Sequence, residues 1–431
     1  MRNCKNLGSQ SSQIRKILIL LCPLLYLNNA FAASYYAYVS NSGDNTVSVI
    51  DTSSNAAVAT IAVGVDPEGV AITPNGNYAY VANNTDNTVS VIATSTNMVV
   101  ETVTVGGGPE GVAITPDGNY AYVTNSNGNT VSVIATSTNM VVATATVDNF
   151  ASYVAITPDG NYAYVTNDIA NTVSVIDTSS YMAVATVGVG LNPLGVAITP
   201  NGNYAYVTNE MNSTVSVIDT SSNMAAATVM VGNLPTGVAI TPNGNYAYVT
   251  NTGDNTVSVI DTSSKLVVTT ITPVGNGPIN IAITSDGNYA YITNNGRGST
   301  NVSVIDTSTN TVVATVTVGT GPFGVAITPP AISPFVPPVT ASVLNLQGKQ
   351  IRNDFGIVYE LENQLSWEAN PAAGSVAGYY VYRNGVLVAT LSRCTFQYTD
   401  HDIQKSASTT YSIVTFKTSG AQSAPATITV Q

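Results

Sequence analysis

Histidine, cysteine, tryptophan and charge are all scarce in this chain. Of its 431 residues one is histidine, three are cysteine, one is tryptophan, and only 8% are charged. With His401 as the single imidazole, histidine clusters are excluded, and a Ser/His/Asp constellation would rest on that residue alone. Cys-x-x-Cys-His does not occur, so haem attachment of that kind is excluded too. Lysine and arginine total 12 against 24 acidic residues, and no basic cluster follows residue 16. A nucleic-acid binder needs a basic footprint, so that class is also set aside. What is plentiful is glycine (34), tyrosine (24) and apolar residues (44%). That composition belongs to a folded chain, long enough at roughly 100–200 residues per domain for two to four domains.

The first 32 residues read as a secretory signal peptide. Arg2, Lys5, Arg15 and Lys16 precede an apolar core at 17–27, and Ala30-Phe31-Ala32 supplies small residues for cleavage after Ala32. The core is too short to span a bilayer, and Pro23 interrupts it. Export to the periplasm, cell surface or medium is therefore expected. Cleavage would leave 8 basic and 24 acidic residues, a formal charge of −16. It would also remove Cys4 and Cys22, leaving Cys394 without a disulfide partner.

One period organises the next 300 residues. Tyr-(Val/Ile)-x-Asn or its variant begins at Tyr38, Tyr80, Tyr122, Tyr164, Tyr206, Tyr248 and Tyr291, at spacings of 42 residues and finally 43. Each unit holds four short runs rich in Val, Ile, Tyr and Thr, separated by Asn, Asp, Gly, Ser and Pro, with no credible helix. Four strands per 42 residues, apolar on both faces, predict the blades of a β-propeller. An open β-solenoid is the rival, but the ends of the repeat region are complementary. The region starts with the second strand type at 34–40 and finishes with the first type at 324–328. Strand 324–328 is thus expected to complete the first blade, closing a seven-bladed ring without an open edge.

These Tyr-Val-Thr-Asn and Gly-Val-Ala-Ile-Thr-Pro motifs resemble the YVTN-family β-propeller repeat, known from surface-layer-like proteins. The resemblance covers 34–328 and implies the fold, while propellers host many functions. Residues 329–338 contain five prolines and read as a stiff linker. The remaining residues, 339–431, resemble a fibronectin type III β-sandwich. Trp367 matches its core tryptophan and Tyr411 its tyrosine corner. His401 is expected in a solvated loop there.

Function is sought on one face of the ring. Loops 1–2 and 3–4 share one end of antiparallel blades, and loops 2–3 share the other with the 4–1 crossovers. The first end is monotonous. Its recurrent Asp51, Asp177, Asp219, Asp261 and Asp306 give way to Ala93 and Ala135, as expected of turn caps. The second end varies from blade to blade, and is the candidate binding face. It offers Asp66, Glu68, Glu110, Phe150, Tyr153, Leu194, Leu234, Ile279, Arg297 and Phe323, the large apolar residues acting as anchors near the mouth. Nine carboxylates lie there: Asp44, Asp66, Glu68, Asp86, Glu110, Asp148, Asp168, Glu210 and Asp254. They could hold Ca²⁺, although no EF-hand-type loop is present. Glu68 and Glu110, equivalent in adjacent blades, could form an acid/base pair. The expectation is an exported, non-catalytic binding, adhesion or scaffold protein with a protein or carbohydrate ligand and no cofactor. The alternative is a metal-assisted, lactonase-like hydrolase at the acidic mouth.

Overall fold

The computed structural model describes residues 35–329 and, further on, 344–354, 359–368, 378–383, 386–392, 395–401, 408–416 and 426–430. The expected signal peptide, nearly all of the proline-rich linker, and Cys394 lie outside the described residues. No described helix is long and apolar enough to cross a membrane. The chain divides into two compact units, one spanning residues 32–331 and the other containing the C-terminal strands.

The first unit is a seven-bladed β-propeller. Six blades are consecutive four-stranded antiparallel sheets, from Pro67–Ile72 at the start of blade 2 to Thr311–Thr317 at the end of blade 7. Blade 1 joins the two ends of the unit: Pro322–Ile327 pairs with Tyr36–Asn41, followed by Thr46–Asp51 and Ala56–Ala62. The expected closure is therefore formed. One departure from an all-strand reading is a single 3-10 turn at Glu210–Asn212, in a 2–3 loop.

The core lies between blades, which explains why both strand faces are apolar. Tyr38, Val47, Val49 and Ile61 of blade 1, for example, pack on Ala79, Val81 and Ile92 of blade 2. Each position of the Tyr-Val-Thr-Asn motif has its own task. The seven tyrosines are fully buried. Five of them donate to an asparagine in the next blade's 3–4 turn, as Tyr38 Oη does to Asn97 Oδ1 (2.6 Å) and Tyr291 Oη to Asn55 Oδ1 (2.7 Å) across the closure. The Thr or Ser hydroxyl bonds the next blade's innermost strand: Thr124 Oγ1 donates to the Ser152 carbonyl at 2.6 Å, Ser40 Oγ to the Glu68 carbonyl at 2.5 Å. The asparagine clips its own hairpin, with Asn125 Nδ2 donating to Thr130 and Ser132 hydroxyls. Every tie contributes about 1 kcal/mol, and repetition around a ring makes the sum large.

Among the described residues the outermost strands have no partner on their outer edge, and they display an apolar belt. Met98, Met140, Met182, Met224 and Leu266 occupy equivalent, exposed positions on it.

The second unit is a sandwich of two sheets. Leu344–Asp354, Tyr359–Glu368 and Gln397–Asp400 form one, and Val386–Ser392, Gly378–Arg383, Thr409–Phe416 and Ala426–Val430 the other. Trp367 meets Tyr379 edge-on at 5.4 Å in the core between them. Tyr411 Oη donates to Asp400 Oδ2 (2.6 Å) and accepts from Asn363 Nδ2 (3.1 Å), and Arg383 pairs with Asp400 at 3.2 Å. His401 is exposed, as expected of a loop residue, but lies 3.1 Å from Glu362 Oε2.

Candidate functional site

The two ends of the propeller are joined as the loop argument expects. The 2–3 loops bond the 4–1 crossovers (Asn84 N to Asp66 O, 2.9 Å), and the 3–4 turns bond the 1–2 turns (Thr94 N to Asn77 O, 3.0 Å). At the monotonous end the aspartates are turn caps. Asp261 Oδ1 accepts from both the amides and the hydroxyls of Ser263 and Ser264, which holds its carboxyl down at about 2.

At the variable end, all seven crossovers carry a residue with positive φ just before the innermost strand. Gly108, Gly277 and Gly321 suit that left-handed backbone, and Asn192 tolerates it. Asp66 (57°), Phe150 (63°) and Leu234 (50°) adopt it as well, and for bulky side chains such backbone is strained. At two of them a side chain of the preceding blade holds the turn: Asn129 Oδ1 accepts from the Phe150 amide at 2.8 Å and Asn45 Oδ1 from the Asp66 amide at 3.0 Å.

One residue on, the second position of each innermost strand forms a ring around the channel. In order it reads Phe323, Glu68, Glu110, Ser152, Leu194, Thr236 and Ile279. Three of its four polar members, Glu68, Glu110 and Ser152, are neighbours flanked by Phe323 and Leu194, and the fourth, Thr236, donates to the Ile279 carbonyl at 2.8 Å. The third position is glycine in five blades, because a Cβ there would collide with the adjacent strand. At Gly69 it would strike the Glu110 carbonyl, and at Gly324 the Glu68 carbonyl. The two exceptions, Tyr153 and Asn280, meet each other, with Asn280 Nδ2 donating to Tyr153 Oη at 3.0 Å.

The candidate carboxylates separate into two groups. Asp44, Asp86 and Asp254 accept backbone amides of Thr320, Val65 and Asn233 at 2.6–2.7 Å, and Asp148 accepts the Thr172 hydroxyl at 2.8 Å. Those four hold loops in place. The others form an electrostatically linked arc. Burial in the ring pushes Glu68 up to about 9, with Glu110 and Asp66 adding to the effect. Burial also pushes Glu110 up to about 7; the nearby Ser126 and Ser152 hydroxyls oppose this, and Asp168 reinforces it. Asp168 is itself raised by burial, and Glu210 by burial and then Asp168. Both glutamates are half-buried by area, and the ring around them makes desolvation the dominant influence. Ser152 Oγ, fully buried, faces Glu110 without closing a hydrogen bond.

No cation balances this arc among the described residues of the propeller. Lys265 sits 4.5 Å above the Tyr204 ring in a 3–4 turn, and Arg297 is exposed in a 2–3 loop. Nor do three or more His, Cys, Asp or Glu side chains converge as a metal site among the described residues. Among the described residues, the carboxylates weighed for Ca²⁺ therefore supply no converging set of the six to eight oxygens it requires.

The apolar residues expected as anchors are spread over several parts of this face. They do not form one exposed patch: Leu234 is 38% exposed, whereas Phe150, Tyr153, Leu194, Ile279 and Phe323 are half-buried. Phe150 and Leu234 belong to the crossovers, Leu194, Ile279 and Phe323 to the ring, and Tyr153 to the cross-channel bond. Ser152 and Asn280 were missed as site residues. The signal for Asn280 was present, because it is the second non-glycine at a position otherwise held by glycine. Two open grooves of about 510 and 550 Å³ lie elsewhere, between outer strands, lined by residues such as Val63 and Val99 or Pro273 and Val312.

Comparison with known proteins supports the propeller and stops short of a family. A family model described as a seven-bladed lactonase β-propeller matches residues 182–326, and one described as a YNCE-like β-propeller matches residues 3–127. No curated protein matches the sequence. Among solved structures, the hydrazine synthase of Kuenenia stuttgartiensis is 26% identical with a TM-score of 0.57, over 63% of this chain and 92% of that one. A functionally unknown protein from Desulfotomaculum acetoxidans is 22% identical with a TM-score of 0.60, over 68% and 99%. A putative 6-phosphogluconolactonase from Bacteroides uniformis is 18% identical with a TM-score of 0.59, over 69% and 100%. Structure and comparisons together make this chain a seven-bladed β-propeller followed by a β-sandwich.

Proposed function

We propose that the chain is an exported, non-catalytic binding protein of the YVTN-propeller type. The channel mouth takes a protein or carbohydrate ligand at the cell surface or in the periplasm. The C-terminal sandwich, similar to a fibronectin type III domain, acts as spacer or second adhesive module. One observation carries this reading: within blades that are nearly copies, the channel ring and crossovers hold side chains that differ, two of them large and in strained backbone. Strain of this kind is retained where a site uses the side chain. The test is retention of a panel of cell-wall polysaccharides and envelope proteins by the full chain, immobilised through its C-terminus. Saturable retention lost in Phe323→Ala/Leu194→Ala, with melting within about 5 °C of the parent, supports the reading. Equal retention by parent and variant overturns it.

A second reading, lactone hydrolysis, is favoured by the Glu68–Glu110 pair. A protonated Glu68 could donate to a leaving oxygen while an ionised Glu110 activates water. The lactonase-described match spans 182–326 and contains neither glutamate. A phosphorylated lactone would also approach carboxylates that no cation balances among the described residues. Turnover of δ-gluconolactone abolished by Glu110→Gln would establish this reading in place of the first.

A further inference from the structure

The ring around the channel is divided by chemistry. Glu68, Glu110 and Ser152 occupy three consecutive blades, while Leu194, Ile279 and Phe323 supply the apolar members beyond them, interrupted by Thr236, whose hydroxyl is taken up by the Ile279 carbonyl. One residue deeper, the Tyr153–Asn280 hydrogen bond joins blades 4 and 7 across the channel and gives the mouth a floor. Ser152 is fully buried, its hydroxyl lacks a hydrogen-bond partner, and it faces the Glu110 carboxyl. A buried hydroxyl left unpaired is unfavourable and marks a place where an unseen partner completes the bonding. Among the described residues the carboxyls likewise lack a countercharge, with Asp66, Asp168 and the Tyr153 phenol as the other titratable groups facing them.

We propose that the Glu68–Glu110–Ser152 arc binds the ammonium group of an amphiphilic organic cation, whose apolar body lies against Leu194, Ile279 and Phe323. The inference rests on the mouth being a binding face, and names its ligand class. An ammonium group offers two or three N–H donors. Two carboxylates and one serine oxygen accept that number, whereas a bare divalent ion would need twice as many oxygens. The aromatic faces of Phe323 and Tyr153 add cation–π attraction where the ligand is desolvated. Binding ionises Glu68, and its proton passes to solvent. Affinity therefore rises with pH until the amine itself loses its proton.

Isothermal titration of the full chain with benzylammonium chloride at pH 8 and low salt tests this. The expected result is saturable one-to-one binding, with release of up to about one proton, seen by comparing buffers of different ionisation enthalpy. Glu68→Gln and Glu110→Gln each weaken it ~10-fold or more, and binding at pH 5 is weakened similarly. Glutamine copies the shape of a protonated carboxyl, so these variants keep the fold. Ser152→Ala, which deletes only the unpaired hydroxyl, weakens binding by a few-fold. Equal binding of neutral benzyl alcohol, binding unaffected by either glutamine substitution, or displacement by millimolar Ca²⁺ each overturns the ammonium assignment. If no amine binds while the polysaccharide or protein panel is still retained, the binding face stands and the cationic ligand is wrong. If neither is retained, both readings fall.

Discussion

Asn280 donates a 3.0 Å hydrogen bond to Tyr153, and the two residues stand three blades apart in a ring of seven, so the bond crosses the central channel. They are the only blades in which the third position of the innermost strand is not glycine. Breaking the bond should reveal coupling between the partners. Tyr153→Phe and Asn280→Ala are each expected to destabilise the propeller. The double variant should fall short of the sum by ~1 kcal/mol. Urea midpoints of the four proteins measure this, and strict additivity would mean that the partners do not support each other.

Stability should depend on pH with opposite signs on the two sides of about pH 5. Glu68 and Glu110 are raised from 4.5 to about 9 and about 7. The folded state therefore holds their protons more tightly than the unfolded state does, and stability falls as pH rises through 4.5 to 9. The turn aspartates Asp117, Asp159, Asp177, Asp219, Asp261 and Asp306 are lowered by their hydrogen bonds. Their contribution is present above the ordinary aspartate value and is lost as pH falls below it. Glu68→Gln is expected to raise the melting temperature by ~2–4 °C at pH 8 and leave it unchanged at pH 5. A shift of equal size at both pH values would refute the burial account.

Ring, blade count and closure were legible in the sequence because most blades repeat the same inter-blade bonds. Tyr38 needs an asparagine such as Asn97 one blade on, so motif and partner recur at one period. The site was less legible. Asp86 and Glu110 look alike as acidic residues in variable loops. Only in the folded chain does Asp86 accept the Val65 amide while Glu110 faces the channel. Side chains from blades far apart in sequence meet only through ring geometry, which is why a bond over 127 residues escaped a motif-by-motif reading. The apolar belt of Met98, Met140, Met182 and Met224 was hidden for another reason. Periodicity does not reveal which strand of a blade is left at its outer edge.

Ala82 marks a gap in the inter-blade bonding. In the other blades, Ser40, Thr124, Thr166, Thr208, Thr250 and Thr293 donate to the carbonyls of Glu68, Ser152, Leu194, Thr236, Ile279 and Phe323. The missing member would reach the carbonyl of Glu110. Ala82→Thr should supply it in a site whose shape already accepts threonine elsewhere, raising stability by ~0.5–1.5 kcal/mol. Denaturant midpoints decide, and destabilisation would show that the Glu68–Glu110 junction is packed differently from its equivalents.

Leu234 offers a test of strain against use. Its φ of 50° is matched by glycine in three blades. Leu234→Gly should therefore be neutral or stabilising by up to ~1 kcal/mol while lowering ligand retention at the mouth. A large loss of stability would instead make the leucine a packing residue.

The closure of the ring predicts how truncations behave. Pro322–Ile327 is the innermost strand of blade 1, and its register pairs Val325 with Val39 and Ile327 with Ala37. Ser40 Oγ accepts from the Gly324 amide at 2.8 Å, and Tyr36 and Thr328 exchange bonds at 2.9 Å through the Tyr36 amide and carbonyl. Deleting from Gly324 onward removes these bonds. It uncovers the edge of Tyr36–Asn41 and opens the cluster containing Ala37, Val39, Ile50 and Tyr291. Deleting from Pro338 onward leaves every one of these contacts in place, because the propeller unit ends at residue 331. The longer truncation should melt ~10 °C or more below the full chain, or fail to fold. The shorter one should keep the melting transition of the propeller within about 3 °C. Calorimetry reads both, and identical transitions for the two truncated proteins would show that the terminal strand does not hold the ring closed.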